Sequence, residues 1–186
     1  MSALKIAADV KRLDLIDLRD AIGTLETQGV DELHFDIADG RFIPRFGLAP
    51  ELIAAVKDIT SLPCHAHLLV QQPDRLLPEI LRCGADTVTI HLETCVHIHR
   101  ALSVIRDAGK QAGVAVLQAT SLTKVNYVLP LIDRLVLLGA DPVATPARIS
   151  MLCRPSGPST ARPVWTTAQN TPPTASTSTS TPSAAA

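Results

Sequence analysis

His34-Phe35-Asp36-Ile37-Ala38-Asp39-Gly40 runs straight into Arg41-Phe42-Ile43-Pro44. The first half reads as an apolar strand, and Asp39-Gly40 as the turn that ends it. Side chains of a strand alternate faces, so His34 and Asp36 point the same way. An imidazole and a carboxylate placed like this can grip one divalent ion. Spacing alone leaves a surface strand with two polar residues equally open. A second run, Pro63-Cys64-His65-Ala66-His67-Leu68-Leu69, again offers a histidine at its tip and tilts the reading toward the metal.

Outward from this stretch, strand-like and helix-like segments alternate. Short apolar runs at 4–9, 32–36, 63–70, 86–91, 113–117 and 134–138 read as buried, parallel-type strands. Between them, residues 14–28 show helical periodicity through Leu15, Leu18, Ile22 and Leu25, with Gly29 as the stop. Further helices are expected over 50–58, 73–83 (opened by Pro73 and stopped by Gly84), 97–108 and 122–129. Gly29-Val30-Asp31 and Gly84-Ala85-Asp86 mark helix-to-strand joints.

About six β/α units allow a doubly wound open sheet or an incomplete (β/α)8 TIM barrel. No Gly-rich dinucleotide loop follows the first strand, where an open nucleotide-binding sheet would place it. Polar residues gather instead at the C-terminal ends of strands two, three and four, as His34, Asp36, His65, His67 and His91. That is the functional face of a barrel, and the barrel is the expected fold.

The first 142 residues hold all 18 acidic residues and 14 Lys and Arg, so their net charge is 14 − 18 = −4. In residues 143–186 there is no acid, and 31 of 44 residues are Ala, Pro, Ser or Thr. Such a composition cannot bury enough apolar surface to offset its ordering entropy. A domain over 1–142 and a disordered tail over 143–186 are therefore expected. The overall charge of −1 gives no pull toward nucleic acid or an anionic membrane. Neither a secretory leader nor a membrane-spanning run is visible. Cys64, Cys83, Cys95 and Cys153 lack CxxC spacing, which suits reduced thiols in the cytoplasm. Cys95 lies near His97 and His99, but no second close ligand pair accompanies them.

These residues resemble the ribulose-phosphate 3-epimerases and related pentulose- and hexulose-phosphate epimerases. The resemblance spans 5–142 and is carried by Lys5-Ile6-Ala7, the whole of His34 to Pro44, His67-Leu68, Gly84-Ala85-Asp86, His91-Leu92-Glu93 and Asp141-Pro142. It implies a carbohydrate isomerase that inverts a carbon beside a ketone in a phosphorylated ketose. A proton is removed and another returned to the opposite face, through an enediolate. It implies a divalent metal ion of the zinc, iron or manganese type, with His34, Asp36 and His67 as ligands. Asp36 is also implied as one acid/base, and Asp39 and Gly40 as residues shaping the substrate pocket. His65 stands where the family usually has an acidic residue. A structural role is favoured for it over service behind the metal ligands, and likewise for His91.

The chain also departs from the family. The second acid/base carboxylate belongs on a seventh strand, and phosphate is held by Gly-rich turns after strands six to eight. The match ends at Asp141-Pro142 without these. An impaired enzyme is therefore expected, or a non-catalytic metal- or sugar-phosphate-binding remnant that assembles with an intact paralogue. Open strand edges invite self-association. The abrupt compositional switch is what a reading-frame shift or truncated gene product would leave. A Schiff-base aldolase is disfavoured, since Lys5, Lys11, Lys57, Lys110 and Lys124 do not fall at the tips of strands two to six.

Overall fold

The computed structural model describes residues 5–138, together with two short strands at Ile149–Cys153 and Thr166–Thr167. Six parallel strands form in chain order: β1 (Ala7–Asp9), β2 (Glu32–Ala38), β3 (Cys64–Leu69), β4 (Thr87–His91), β5 (Gln111–Val116) and β6 (Arg134–Leu138). Helices α1 (Leu18–Thr27), α2 (Glu51–Lys57), α3 (Pro73–Arg82) and α4 (Ile98–Asp107) connect the first five. Each strand pairs with the next in sequence, with no reversal of order. A doubly wound sheet needs a point where the order reverses. Its absence decides for the curled, incomplete barrel. Along the outer edge of β6 the backbone of β7 (Ile149–Cys153) pairs antiparallel, and β8 (Thr166–Thr167) pairs beyond it. The expected boundary at 142 and the tail beyond it otherwise lie outside the described residues.

The two faces of the sheet differ in chemistry. Leu33, Phe35, Ile37, Ala66, Leu68, Val88, Ile90, Val114 and Val116 alternate outward and pack with Ile22, Ile53, Leu77, Ile80, Leu102 and Ile105 of the helices. This aliphatic layer is the main core. The opposite positions face the barrel interior, where Ala115, Val136 and Leu138 form only a small apolar cluster. The rest of that face is polar: Glu32, His34, His65, His67, Thr87, Thr89, His91 and Arg134 are all buried.

The aspartates of the two Gly-x-Asp joints, Asp31 and Asp86, share a specific task with Asp133. Asp31, Asp86 and Asp133 stand just before β2, β4 and β6. Each carboxylate accepts the backbone N–H of a residue at the start of the preceding strand: Ile6 at 2.7 Å, Cys64 at 2.9 Å and Ala112 at 2.9 Å. Every second strand thus staples the N-terminal end of its neighbour. Gly29 and Gly84 follow α1 and α3 with φ of 77° and 88°, the left-handed step that closes a helix and that a side chain disfavours.

Two sequence expectations are corrected. Helix α1 begins at Leu18 rather than at residue 14, because the Asp14 carboxylate accepts the Ile16 N–H and holds a local turn. The segment expected as a helix over 122–129 forms 3-10 turns at Leu122–Tyr127 and Leu129–Leu131 instead. Only Val125 and Val128 are buried there, too few to seat an α-helical face, and Pro130 cannot donate to a helical ladder.

Candidate metal centre

Parallel register places Asp36 opposite His67 and His34 opposite His65. The next strands continue the row, with His67 opposite Thr89 and His91 opposite Ala115. Because partners in register share a face, the histidines of three strands meet inside the barrel. Asp36 Oδ1 lies 3.1 Å from His34 Nε2 and 3.0 Å from His67 Nδ1. The ligand atoms of His34, Asp36 and His67 all lie within 4.8 Å of one another, the one such group among the described residues. The two histidines are buried, while 23% of the Asp36 side chain is exposed, so the cluster is reached past this carboxylate.

The proton positions follow from the partners. Burial works to raise the Glu93 carboxyl, but bonds from His91, Thr120 and the Leu117 N–H outweigh it and hold it at about 2. Glu93 is therefore an anion that can only accept. His91 Nδ1, 3.0 Å away, must donate to it. His91 Nε2, 3.1 Å from His67 Nε2, then accepts from His67. His67 Nδ1 is left bare, facing Asp36. Burial brings His67 down to about 4, against a smaller upward pull from Asp36, so it is neutral near pH 7. Burial also works to raise Asp36, and positive charge lying between it and the imidazoles of His34 and His67 works the other way, to keep it ionised below the usual carboxylate range.

A carboxylate oxygen and a bare imidazole nitrogen at 3.0 Å repel unless positive charge sits between them. A proton can do this, and so can a metal ion. Two imidazoles and one carboxylate make a donor set suited to a first-row divalent ion, so these residues fit one. Phe42, from the loop after β2, lays its ring 4.7 Å from that of His91.

Asp39 and Gly40 lie just beyond the cluster and organise the loop. Asp39 Oδ1 accepts the N–H groups of Arg41 (2.9 Å) and Phe42 (3.1 Å), and Oδ2 accepts that of Gln71 (2.9 Å). These backbone bonds outweigh burial and lower its pKa. Asp39 thereby ties the loop to the end of β3. The loop returns through Gly47, whose N–H donates to Ala38 O at 3.0 Å. A Cβ at Gly47 would lie 2.3 Å from Ala38 N and from Asp36 O, so only glycine passes here.

Both histidines read as structural from the sequence adjoin the cluster. His65 sits behind His34, with Nδ1 to Nδ1 at 3.1 Å, and His91 sits behind His67. Cys95 makes no such group; it lies 4.0 Å from Asp74. Three neighbours escaped the sequence reading: Glu32, Thr89 and Arg134. A usable signal existed for two of them, since Glu32 and Arg134 are opposite charges that each stand at the first position of a strand.

Residues 5–148 match the model of the ribulose-phosphate 3 epimerase family. The chain is similar to the ribulose-phosphate 3-epimerase of Bacillus subtilis, 32% identical over 139 residues, covering 75% of this chain and 64% of that one. It is 36% identical over 114 residues to that of Aquifex aeolicus, covering 61% and 51%. A chloroplastic ribulose-5-phosphate-3-epimerase of Arabidopsis thaliana is 29% identical over 143 residues, covering 76% and 51%. The chain spans about half to two thirds of the length of these relatives.

Proposed function

This chain belongs to the ribulose-phosphate 3-epimerase family, and on that footing we propose that its interior cluster serves metal-assisted epimerisation of a phosphorylated ketose. The convergence of His34 Nε2, Asp36 Oδ1 and His67 Nδ1 on the interior face of β2 and β3 carries this reading. These three residues would hold a divalent ion of the zinc, iron or manganese type. Such an ion, when bound, stabilises negative charge on substrate oxygens as a proton leaves the carbon beside a ketone. Asp36, ionised and partly exposed, is in the form that accepts that proton. His91 and Glu93 keep the His67 proton on Nε2, away from the reacting side. Asp39 and Gly40 hold the loop that would border the sugar. The buried free thiols of Cys64, Cys83 and Cys95 support a reducing compartment such as the cytoplasm.

A second reading has its own support. Inversion needs acid/base groups on both faces of the carbon, and among the described residues Asp36 is the only carboxylate in the cluster. A chain with this half alone would bind metal or sugar phosphate without turnover.

One experiment separates the two. Zinc binding is titrated, and exchange of the C3 proton of ribulose 5-phosphate with deuterated water is followed by NMR, for the wild type and Asp36→Asn. Exchange that vanishes in Asp36→Asn supports the enzyme. Zinc binding without exchange supports the binding remnant. Exchange that survives in Asp36→Asn removes the role given to Asp36.

A further inference from the structure

The interior holds a second buried polar cluster that reaches the metal centre from behind. Arg134, the first residue of β6, pairs with Glu32 of β2 through Nη1–Oε1 at 2.6 Å and Nη2–Oε2 at 2.8 Å. Its Nη1 also lies 2.9 Å from His65 Nδ1. A guanidinium has only N–H donors, so this nitrogen of His65 must be the acceptor. His65 then carries its proton on Nε2 and donates to Thr89 Oγ1 at 2.8 Å. His34 Nδ1 lies 3.1 Å from the same bare nitrogen. A bare His34 Nδ1 would set two lone pairs against each other, whereas a protonated one joins Arg134 in a three-centre bond to His65. With its proton held at Nδ1, His34 turns Nε2 toward Asp36 Oδ1 at 3.1 Å with its lone pair available to a cation.

We propose that Arg134 is a positioning residue: acting through His65, it holds the proton of His34 on Nδ1 and so keeps Nε2 free as a ligand. The proposal rests on the metal-centre reading above and extends it to a strand that contributes no ligand. The Glu93–His91–His67 row does the same for the other imidazole from the opposite side. Each ligand histidine is thus fixed by a charged group two residues removed, an anion on one side and a cation on the other. The signs differ because His91 meets its two neighbours with opposite nitrogens, whereas His65 meets both Arg134 and His34 with Nδ1. Glu93 takes a proton from His91, so the chain of donation runs away from His67. Arg134 gives one to His65, and His65 must then be fed by His34. Both rows end with a bare nitrogen facing Asp36.

The test reads the proton directly. The full chain, labelled with 15N-histidine and stripped of metal, is examined by long-range 1H–15N correlation NMR, with single His→Gln variants for assignment. Protonated Nδ1 in His34 and bare Nδ1 in His65 are expected. Bare Nδ1 in His34, or protonated Nδ1 in His65, overturns the proposal whatever any variant does. The double change Glu32→Leu with Arg134→Met removes the ion pair without stranding either charge. In it, His34 is expected to populate both tautomers, and zinc affinity by calorimetric titration to fall about tenfold or more, the usual effect of losing a group that orients a ligand. Arg134→Lys keeps a donor and is expected to restore the Nδ1–H form. Unchanged tautomers and affinity in the double variant also overturn the proposal. A wild type with the expected tautomers that binds no zinc upholds the positioning and defeats the metal reading instead.

Discussion

Arg134 and Glu32, 102 residues apart in sequence, form a two-pronged ion pair across the barrel interior, at 2.6 and 2.8 Å. The pair joins the sixth strand to the second, and both residues are buried. Removing one partner of such a pair strands the other charge, which costs about 3–5 kcal/mol, whereas replacing both by apolar groups is often neutral. Arg134→Met is therefore expected to lose that amount in urea denaturation, and Glu32→Leu/Arg134→Met to recover most of it. A single variant as stable as the wild type would show that the interior is wetter than the structure places it.

The strand parity behind the His34–Asp36–His67 cluster was legible because it needs only the period of two in β2 and β3. The six units were legible because Gly and Pro punctuate short apolar runs. The placement of each imidazole proton was not. It depends on partners 24 residues away for His67 and 69 away for the His65–Arg134 contact, and register between strands is not written in either one alone. His65 and His91 were read as structural for the same reason: a histidine in an apolar run shows its parity but not its neighbour. The 122–129 segment misled because its apolar residues suggest a helix, while burial selects only Val125 and Val128.

Two glycines give opposite expectations. Gly47→Ala would drive a Cβ to 2.3 Å from the backbone at Asp36 and Ala38, and backbone cannot rotate away. A loss of about 3 kcal/mol, the upper end for overpacking, is expected, with weaker zinc binding because Asp36 must move. Gly23, inside α1, has nothing within 4 Å of a built Cβ. Gly23→Ala is expected to gain about 0.5–1 kcal/mol from helix propensity. Thermal denaturation of the two variants side by side checks both signs.

Glu93 gives a pH signature. Its folded pKa, about 2, lies below the ordinary 4.5. The stability it contributes is fully present above 4.5 and is lost as the pH falls toward 2, where the folded carboxylate takes up its proton. Partial exposure discounts the full value of the shift to about 2 kcal/mol. Glu93→Gln is expected to be less stable than the wild type near pH 7 by roughly this amount. Its stability is also expected to fall less steeply between pH 4.5 and 2. Parallel acid-denaturation curves for the two proteins would contradict the assigned bonds to His91, Thr120 and the Leu117 N–H.

Asp36→Asn separates folding from metal binding. In the metal-free chain the Asp36 anion faces His67 Nδ1 at 3.0 Å and His34 Nε2 at 3.1 Å, both read here as bare. An asparagine amide offers two N–H donors to those nitrogens and removes the buried charge. Each new bond is worth about 1 kcal/mol. Without metal the variant is therefore expected to match or exceed the wild type in melting temperature, although it loses a residue at the centre of the cluster. With zinc the order reverses. An ion at 100 times its dissociation constant adds about 2.7 kcal/mol to a chain that binds it only when folded. The wild type is expected to show that gain, and to lose it to a chelator, while Asp36→Asn shows neither. A variant that melts well below the metal-free wild type would mean that Asp36 is bonded as a structural acceptor, and that the two imidazoles present protons to it rather than lone pairs.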